Sequence, residues 1–221
     1  MGMMAAAGSV RLRDAATRLG VTEMTLRRDM AGPHAPLRCL GGWLVPAGLA
    51  PDYDLPAEMD RHVDAKRAAA RAALPLIRPG TCIFVDCGTT TVHMAPLLAG
   101  PLTVVTHSLP VAQIVAQAAA ADGDLALHLL GGVYHPTAAA FIGKPALPAG
   151  LQFDLAIISA GGIDSDGAVS CSLGAEVAVK QAVITASRQR IVLADRSKLA
   201  QRRPFVFARR EEFDAVVLDP V

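Results

Sequence analysis

Apolar residues follow two rhythms along this chain of 221 residues. Near the start the rhythm is helical. Leu12, Ala15, Ala16 and Leu19 share one helix face at offsets of three and four. Gly20 can take the left-handed conformation that ends such a helix, and Val21 is expected to fill the angle to the next one. Thr22 is a candidate N-cap for a second helix, with Glu23 at its positive end. That helix buries Leu26 and Met30 and leaves Thr25, Arg27 and Arg28 facing outward. Residues 37–45 (LRCLGGWLV) set two short apolar runs around Gly41 and Gly42, as a β-hairpin does. Pro33 and Pro36 at its entry suit an irregular linker equally well. Residues 46–54 read as linker, and 57–74 as a helix leading into a second domain.

From Thr81 the rhythm changes. Short apolar runs at Thr81–Val85, Leu102–Thr106, 125–130, 154–159, 190–194 and 215–218 alternate with helix-like stretches at 92–98, 110–120 and 175–188. This predicts an α/β fold whose largely parallel sheet is covered on both faces. The expected organisation is a small helix-turn-helix unit over 1–50, a linker and connecting helix over 51–75, and an α/β domain over 76–221. In such sheets ligands collect at the carboxyl ends of the strands.

Those ends carry polar groups that a plain core does not require. After the first strand comes Asp86-Cys87-Gly88-Thr89-Thr90-Thr91, then a helix. Backbone N–H groups, threonine hydroxyls and a helix dipole are the groups a phosphate monoester needs, although well-capped helices also begin this way. The next ends are Thr106-His107-Ser108, Gly131-Gly132, Ala160-Gly161-Gly162-Ile163-Asp164 and Asp195-Arg196-Ser197-Lys198. Glu176 and Lys180, four apart on an expected helix, share a face. Paired glycines make tight turns and an exposed ion pair has little energetic weight. Converging at one sheet edge, however, these clusters describe a polar pocket for a small hydroxylated anion.

Composition narrows the picture. Apolar residues make up 52 % but aromatics only 4 %, so Ala, Val, Leu and Ile must build the core. Net charge is +1, yet residues 1–50 hold six arginines against three acids, so the basic excess sits on the helix-turn-helix piece. Cys39, Cys82, Cys87 and Cys171 show no CxxC pairing and no metal-ligand spacing with histidine, and read as reduced thiols of a cytoplasmic protein. The start, MGMMAAAGSV, lacks the charged and apolar regions of a signal peptide. The uncharged run 87–121 is broken by Pro96, Gly100, Pro101, His107 and Pro110, which points to buried core and not a membrane span. No metal or tightly held cofactor is indicated.

In order and spacing, LGVTEMTLRRDM, DCGTTT, LTVVTHSL, LLGG, GGID, the Glu176…Lys180 pair and ADRSK resemble the DeoR family of bacterial sugar-metabolism repressors, from Arg11 to Asp219. The resemblance implies a winged helix-turn-helix joined to a sensor domain related in fold to ribose-5-phosphate isomerase. It also implies operator DNA as partner, release by a phosphorylated sugar with deoxyribose 5-phosphate favoured, and a homodimer or higher homo-oligomer. Carried over, Thr22, Thr25, Arg27 and Arg28 become operator contacts. Asp86, Gly88, Thr89, Thr90, Thr106, Ser108, Gly161, Gly162, Glu176, Lys180, Asp195 and Lys198 become effector contacts. The Gly88–Thr91 turn, with Thr91, would dock the phosphate, and Asp164 would engage hydroxyls. Three departures stand out. Only MGMMAAAGSV occupies the place of the family's first helix, so the winged unit reads as truncated. His107 stands where many members have Asn. The chain stops at Val221, where relatives continue. A ligand-binding sensor without DNA binding is an alternative, as is a sugar-phosphate isomerase using Glu176, Asp164 and Lys180 to move protons.

Overall fold

The computed structural model describes residues 10–32, 35–40, 42–47, 58–143, 147 and 150–220. The segment expected to replace a first helix lies outside these residues apart from Val10, as do most of the linker and Val221.

The chain opens with β1 (Val10–Arg11) and α1 (Leu12–Leu19), which Gly20 ends in the left-handed conformation at φ 66°. The helix α2 (Glu23–Asp29) follows, and the Thr22 side chain accepts from the Thr25 N–H as its N-cap. The hairpin is real: β2 (Leu37–Leu40) and β3 (Trp43–Pro46) pair antiparallel, and β1 adds to the outer edge of β3. Leu12 and Ala15 of α1 pack on Leu44 of β3, with Val10, Leu26, Met30 and Cys39 at the margin. The small sheet thus supplies the apolar cover that the sequence did not offer these helices. Val21, expected between them, is exposed instead, as are Leu19 and Met24.

Side chains alternate along β3, so Leu44 faces α1 while Trp43 and Val45 face the other way. Val45 is fully buried in the main core of the α/β domain. The Trp43 ring meets Phe205 edge-on at a centroid distance of 5.6 Å, and the Arg11 guanidinium lies 4.9 Å over it. Gly174 allows this approach. A Cβ there would lie 2.7 Å from Phe205 Cε1 and 2.8 Å from Trp43 Cδ1.

The expected connecting helix is shorter, α3 (Val63–Ala73), because His62 before it takes a left-handed conformation at φ 53°. The domain proper contains β4 (Thr81–Val85), α4 (Thr89–Met94), β5 (Leu102–Thr106), α5 (Leu109–Ala121) and β6 (Leu125–Leu129). A small hairpin follows, β7 (Val133–His135) and β8 (Ala140–Ile142), then β9 (Phe153–Ser159), β10 (Gly162–Ile163) and β11 (Ala168–Cys171). The chain finishes with α6 (Val177–Thr185), β12 (Ser187–Leu193), β13 (Phe205–Arg209) and β14 (Ala215–Val217).

All six anticipated strands form one sheet in the order β14-β12-β9-β4-β5-β6, and every neighbouring pair is parallel. One apolar layer gathers Ile83, Val85, Val104, Ile157 and Leu193 beneath α3, α4 and α5. The other gathers Phe84, Phe153, Ile158 and Val192 beneath α6 and the β10-β11-β13 sheet. Two boundaries shifted. The expected 175–188 helix gives its first residues to a 3-10 turn (Gly174–Glu176) and its last to β12. The 92–98 helix begins earlier, at Thr89, and ends where Pro96 forces a tighter turn. No described helix is long and apolar enough to cross a membrane.

Candidate functional site

The strand order places the carboxyl ends of β4 and β9 side by side, and a buried polar centre forms between them. Asp86, directly after β4, is fully buried. Its Oδ2 accepts from the Ser159 N–H at 2.9 Å and the Ser159 hydroxyl at 2.8 Å, and pairs with the Lys180 ammonium. Its Oδ1 lies 3.0 Å from His107 Nε2. Lys180, also fully buried, donates in addition to the Ser159 carbonyl at 3.1 Å and lies 3.5 Å from Glu176.

Two opposing effects set the charges here. Burial alone would push the Asp86 carboxyl up, but Lys180 and His107 outweigh it and hold the group well below the usual carboxylate range. Burial would likewise lower Lys180, and Asp86 and Glu176 instead hold it above an ordinary lysine. Glu176 goes the other way. Its burial dominates over Lys180, Asp86 adds to the effect, and its carboxyl is raised. Burial also raises the thiols of Cys87 and Cys171, with Glu176 contributing, so neither is an activated nucleophile or an exposed redox thiol.

Above this centre lies a cavity of about 140 Å³. The turn Gly88-Thr89-Thr90 forms one wall, and Ser159, Ala160 and Gly161 follow from the end of β9. Glu176, Lys180, Lys198 and Arg203 also line it, with Glu58 and Arg61 at the approach to α3. Gly88 is required by contact: a Cβ there would overlap the Ser159 side chain at 2.5 Å.

Of the residues singled out in the sequence, Gly88, Thr89, Thr90, Gly161, Glu176, Lys180 and Lys198 line the cavity. Asp86, Thr91, Thr106, His107, Ser108, Gly162, Asp164 and Asp195 do not reach its lining. The Thr91 hydroxyl donates to the Asp86 and Gly88 carbonyls at 2.8 Å, fixing the turn from below. The Thr106 hydroxyl donates to the Val85 carbonyl and accepts from the Ser108 N–H, tying β5 to β4. Ser108 caps α5. His107 is buried under the turn, with Nδ1 3.3 Å from the Phe141 carbonyl oxygen. It positions Asp86 and does not face the cavity. Gly162 pairs with Ser170 in the β10–β11 ladder, where a side chain would strike the Gln201 carbonyl. Asp164 sits in the following turn and pairs with Arg202 at 3.1 Å. Asp195 caps the 3-10 turn Arg196–Lys198 through the Ser197 N–H, and its buried Oδ2 has no partner among the described residues. The isomerase-like trio of Glu176, Asp164 and Lys180 is therefore not assembled at the cavity.

The structure adds residues that the sequence did not flag. Ser159 is the hub between β4 and β9, and it read as the tail of an apolar run. Glu58, Arg61 and Arg203 come from segments without motifs. Asp86, Cys87 and His107 also place one potential metal ligand each within 4.8 Å of one another. The Lys180 ammonium on the same carboxylate disfavours a cation there.

In the N-terminal unit, Thr22 spends its hydroxyl on the α2 cap and on the Thr25 hydroxyl, 2.9 Å away. Arg27 reaches back to the Cys39 sulfur at 3.5 Å, and Arg28 is 80 % exposed beside Asp29. Thr25, Arg27 and Arg28 thus lie along one short helix with no core role.

Residues 61–220 match the family model described as the DeoR C terminal sensor domain. The deoxyribose operon repressor of Escherichia coli (strain K12) is 32 % identical over 220 residues, covering 94 % of this chain and 83 % of that protein. The lactose phosphotransferase system repressor of Staphylococcus epidermidis is 29 % identical over 221 residues, covering 96 % and 86 %. Among solved structures, ribose 5-phosphate isomerase A of Methanocaldococcus jannaschii overlaps 62 % of this chain and 54 % of its own at 16 % identity. Its TM-score of 0.46 is too loose a likeness to support a shared activity.

Proposed function

This chain belongs to the DeoR family, and we propose that it is a DNA-binding transcriptional repressor of sugar or deoxyribonucleoside catabolism, released from its operator by a phosphorylated sugar. The observation that carries this reading is the cavity. It brings the Gly88-Thr89-Thr90 turn, Lys198 and Arg203 around one small space in a domain matched as a sensor. Backbone N–H groups, hydroxyls and cations in that arrangement suit a phosphate monoester on a polyhydroxylated carbon chain. The relative at 32 % identity is a deoxyribose operon repressor, and on that similarity deoxyribose 5-phosphate is the favoured ligand in this reading.

The α1–α2 pair with its hairpin is the winged helix-turn-helix in this reading. Thr25, Arg27 and Arg28 contact operator DNA, and Thr22 fixes the start of the recognition helix. A two-fold operator calls for at least a homodimer. Trp43 supplies the connection between the two functions. It touches the turn that carries Glu176, so a ligand that moves Glu176 also moves the wing. A ligand shifts DNA binding only through its difference in affinity for the two states, and a hundredfold change needs about 2.7 kcal/mol.

The test is a thermal-shift titration in phosphate-free buffer with deoxyribose 5-phosphate, ribose 5-phosphate, glycerol 3-phosphate and unphosphorylated deoxyribose. Saturation at a hundred times the dissociation constant stabilises the fold by about 2.7 kcal/mol. A shift with one or more sugar phosphates and none with deoxyribose is expected. No shift with any of them contradicts the sensor role.

A further inference from the structure

Four cations line the cavity, and their partners differ. Lys180 is held between Asp86 and Glu176. Arg61 and Lys198 share the Glu58 carboxylate, at 2.9 and 3.1 Å. Glu58 itself is partly buried, which would raise its carboxyl, but Lys198 and Arg61 more than offset that and keep it below the ordinary glutamate range. It is therefore ionised, and the two cations share its single charge. Only Arg203 has no carboxylate within salt-bridge distance among the described residues.

Arg203 is nonetheless firmly placed. Its backbone N–H donates to the Ser170 hydroxyl at 2.8 Å, and the same hydroxyl donates to the Gly162 carbonyl at 3.2 Å. Its Nε–H donates to the Gly161 carbonyl at 3.0 Å. The stem crosses so closely over Gly161 that a Cβ there would lie 3.0 Å from Arg203 Cγ. The glycine pair thus makes room for the 201–203 segment, one glycine under the Gln201 carbonyl and the other under this side chain. With the backbone and Nε held, the two terminal guanidinium nitrogens have no protein acceptor among the described residues. The neighbouring Arg202 serves as contrast, since it spends its guanidinium on Asp164 and Asp166.

We propose that Arg203 is the phosphate-binding residue of this site, presenting a pre-placed guanidinium fork to the phosphate monoester of the ligand. The assignment rests on the sensor reading above and deepens it. A phosphate dianion brought beside Lys180 or Lys198 meets ammonium groups that already hold a carboxylate partner. Beside Arg203 it meets a cation with no carboxylate partner among the described residues, in a planar geometry that matches two phosphate oxygens at once. A lysine at the same place keeps the charge and loses the fork. On this account, the exposed-looking arginine pair at 202–203 divides its work, one residue closing the β10–β11 turn and the other receiving the ligand.

Isothermal titration in phosphate-free buffer tests this with the full chain and its Arg203→Gln, Arg203→Lys and Arg202→Gln forms. The probes are deoxyribose 5-phosphate, ribose 5-phosphate, glycerol 3-phosphate, inorganic phosphate and unphosphorylated deoxyribose. Arg203→Gln is expected to weaken the phosphorylated ligands by roughly tenfold to a hundredfold, the range for a lost charged hydrogen-bond pair. Arg203→Lys should fall between the two, Arg202→Gln should match the parent, and affinity for deoxyribose should be unchanged throughout. Thermal unfolding without ligand checks that each form is folded. If Arg203→Gln does not fold, Arg203→Lys decides alone, because parent-like affinity there removes the need for a fork. A parent that binds sugar phosphate equally well after Arg203→Gln overturns the assignment and leaves the sensor reading intact. A parent that binds no probe overturns both.

Discussion

Replacing Lys180 by Met removes a charge from the centre of the molecule while keeping most of the volume of its stem. Lys180 and Asp86 are both fully buried and paired. Removing one partner of a buried pair costs about 3–5 kcal/mol, because the other charge stays behind without its counter-ion. Asp86 keeps two donors from Ser159 and its contact with His107, which favours the lower end of that range. For a chain of this size the loss corresponds to a fall in Tm of roughly 6–20 °C. The pH dependence fixes the sign. With its folded-state carboxyl held low, Asp86 contributes stability above the unfolded carboxylate pKa of about 3.9, and that contribution is lost as pH falls through the depressed folded value. Without Lys180 burial dominates and the Asp86 pKa rises, so Lys180→Met should be most destabilising at neutral pH and approach the parent on acidification. Asp86→Asn combined with Lys180→Met removes both charges and should regain most of the lost stability. Urea unfolding of the parent, the single variant and the double variant between pH 5 and 8 measures all of this. A Lys180→Met form within about 1 kcal/mol of the parent at neutral pH contradicts the buried-pair argument, since that is the scale of an exposed pair. A double variant no better than the single one contradicts it as well.

Two further outcomes are expected. Glu176, with its carboxyl raised by burial, favours folding below its unfolded pKa and loses that contribution as pH rises through the folded value, so Glu176→Gln should gain stability relative to the parent as pH rises from 5 to 8. A difference that stays constant with pH, followed by thermal unfolding, argues against a burial-dominated carboxyl. Gly174→Ala cannot keep Trp43 and Phe205 in place and should cost about 1–3 kcal/mol while red-shifting the emission of Trp43, the only tryptophan in the chain. Unchanged emission would mean that the wing does not rest on this turn.

The sheet was legible because its strands are short, apolar and set apart by helices with a different period, as Thr81–Val85 and Leu102–Thr106 illustrate. The strands β10, β11 and β13 were missed for a physical reason. They form a small antiparallel layer that mixes apolar with polar residues, and Ser170 at its centre is buried only because its hydroxyl serves Gly162 and Arg203. At the site, motif residues such as Gly88 and Lys198 stood out locally, whereas Ser159 and Arg203 gain their roles from strand order. The side chain of Ser159 matters because β9 lies next to β4, which no local pattern contains. Conversely, Thr106, Ser108 and Asp195 looked like ligand groups in the sequence and turn out to cap or tie the elements that carry the cavity.

If occupancy of the cavity governs DNA binding, fluorescence anisotropy should register it. A labelled duplex, selected by the full chain from a random pool, is titrated with protein at fixed salt, with and without saturating deoxyribose 5-phosphate or whichever sugar phosphate raises the Tm. One tight duplex with a two-fold sequence is expected, with a loss of affinity of about tenfold to a hundredfold when the ligand is present, within the usual range of allosteric coupling. A duplex bound equally well with and without a ligand that stabilises the sensor domain would contradict it, and so would failure to select any duplex.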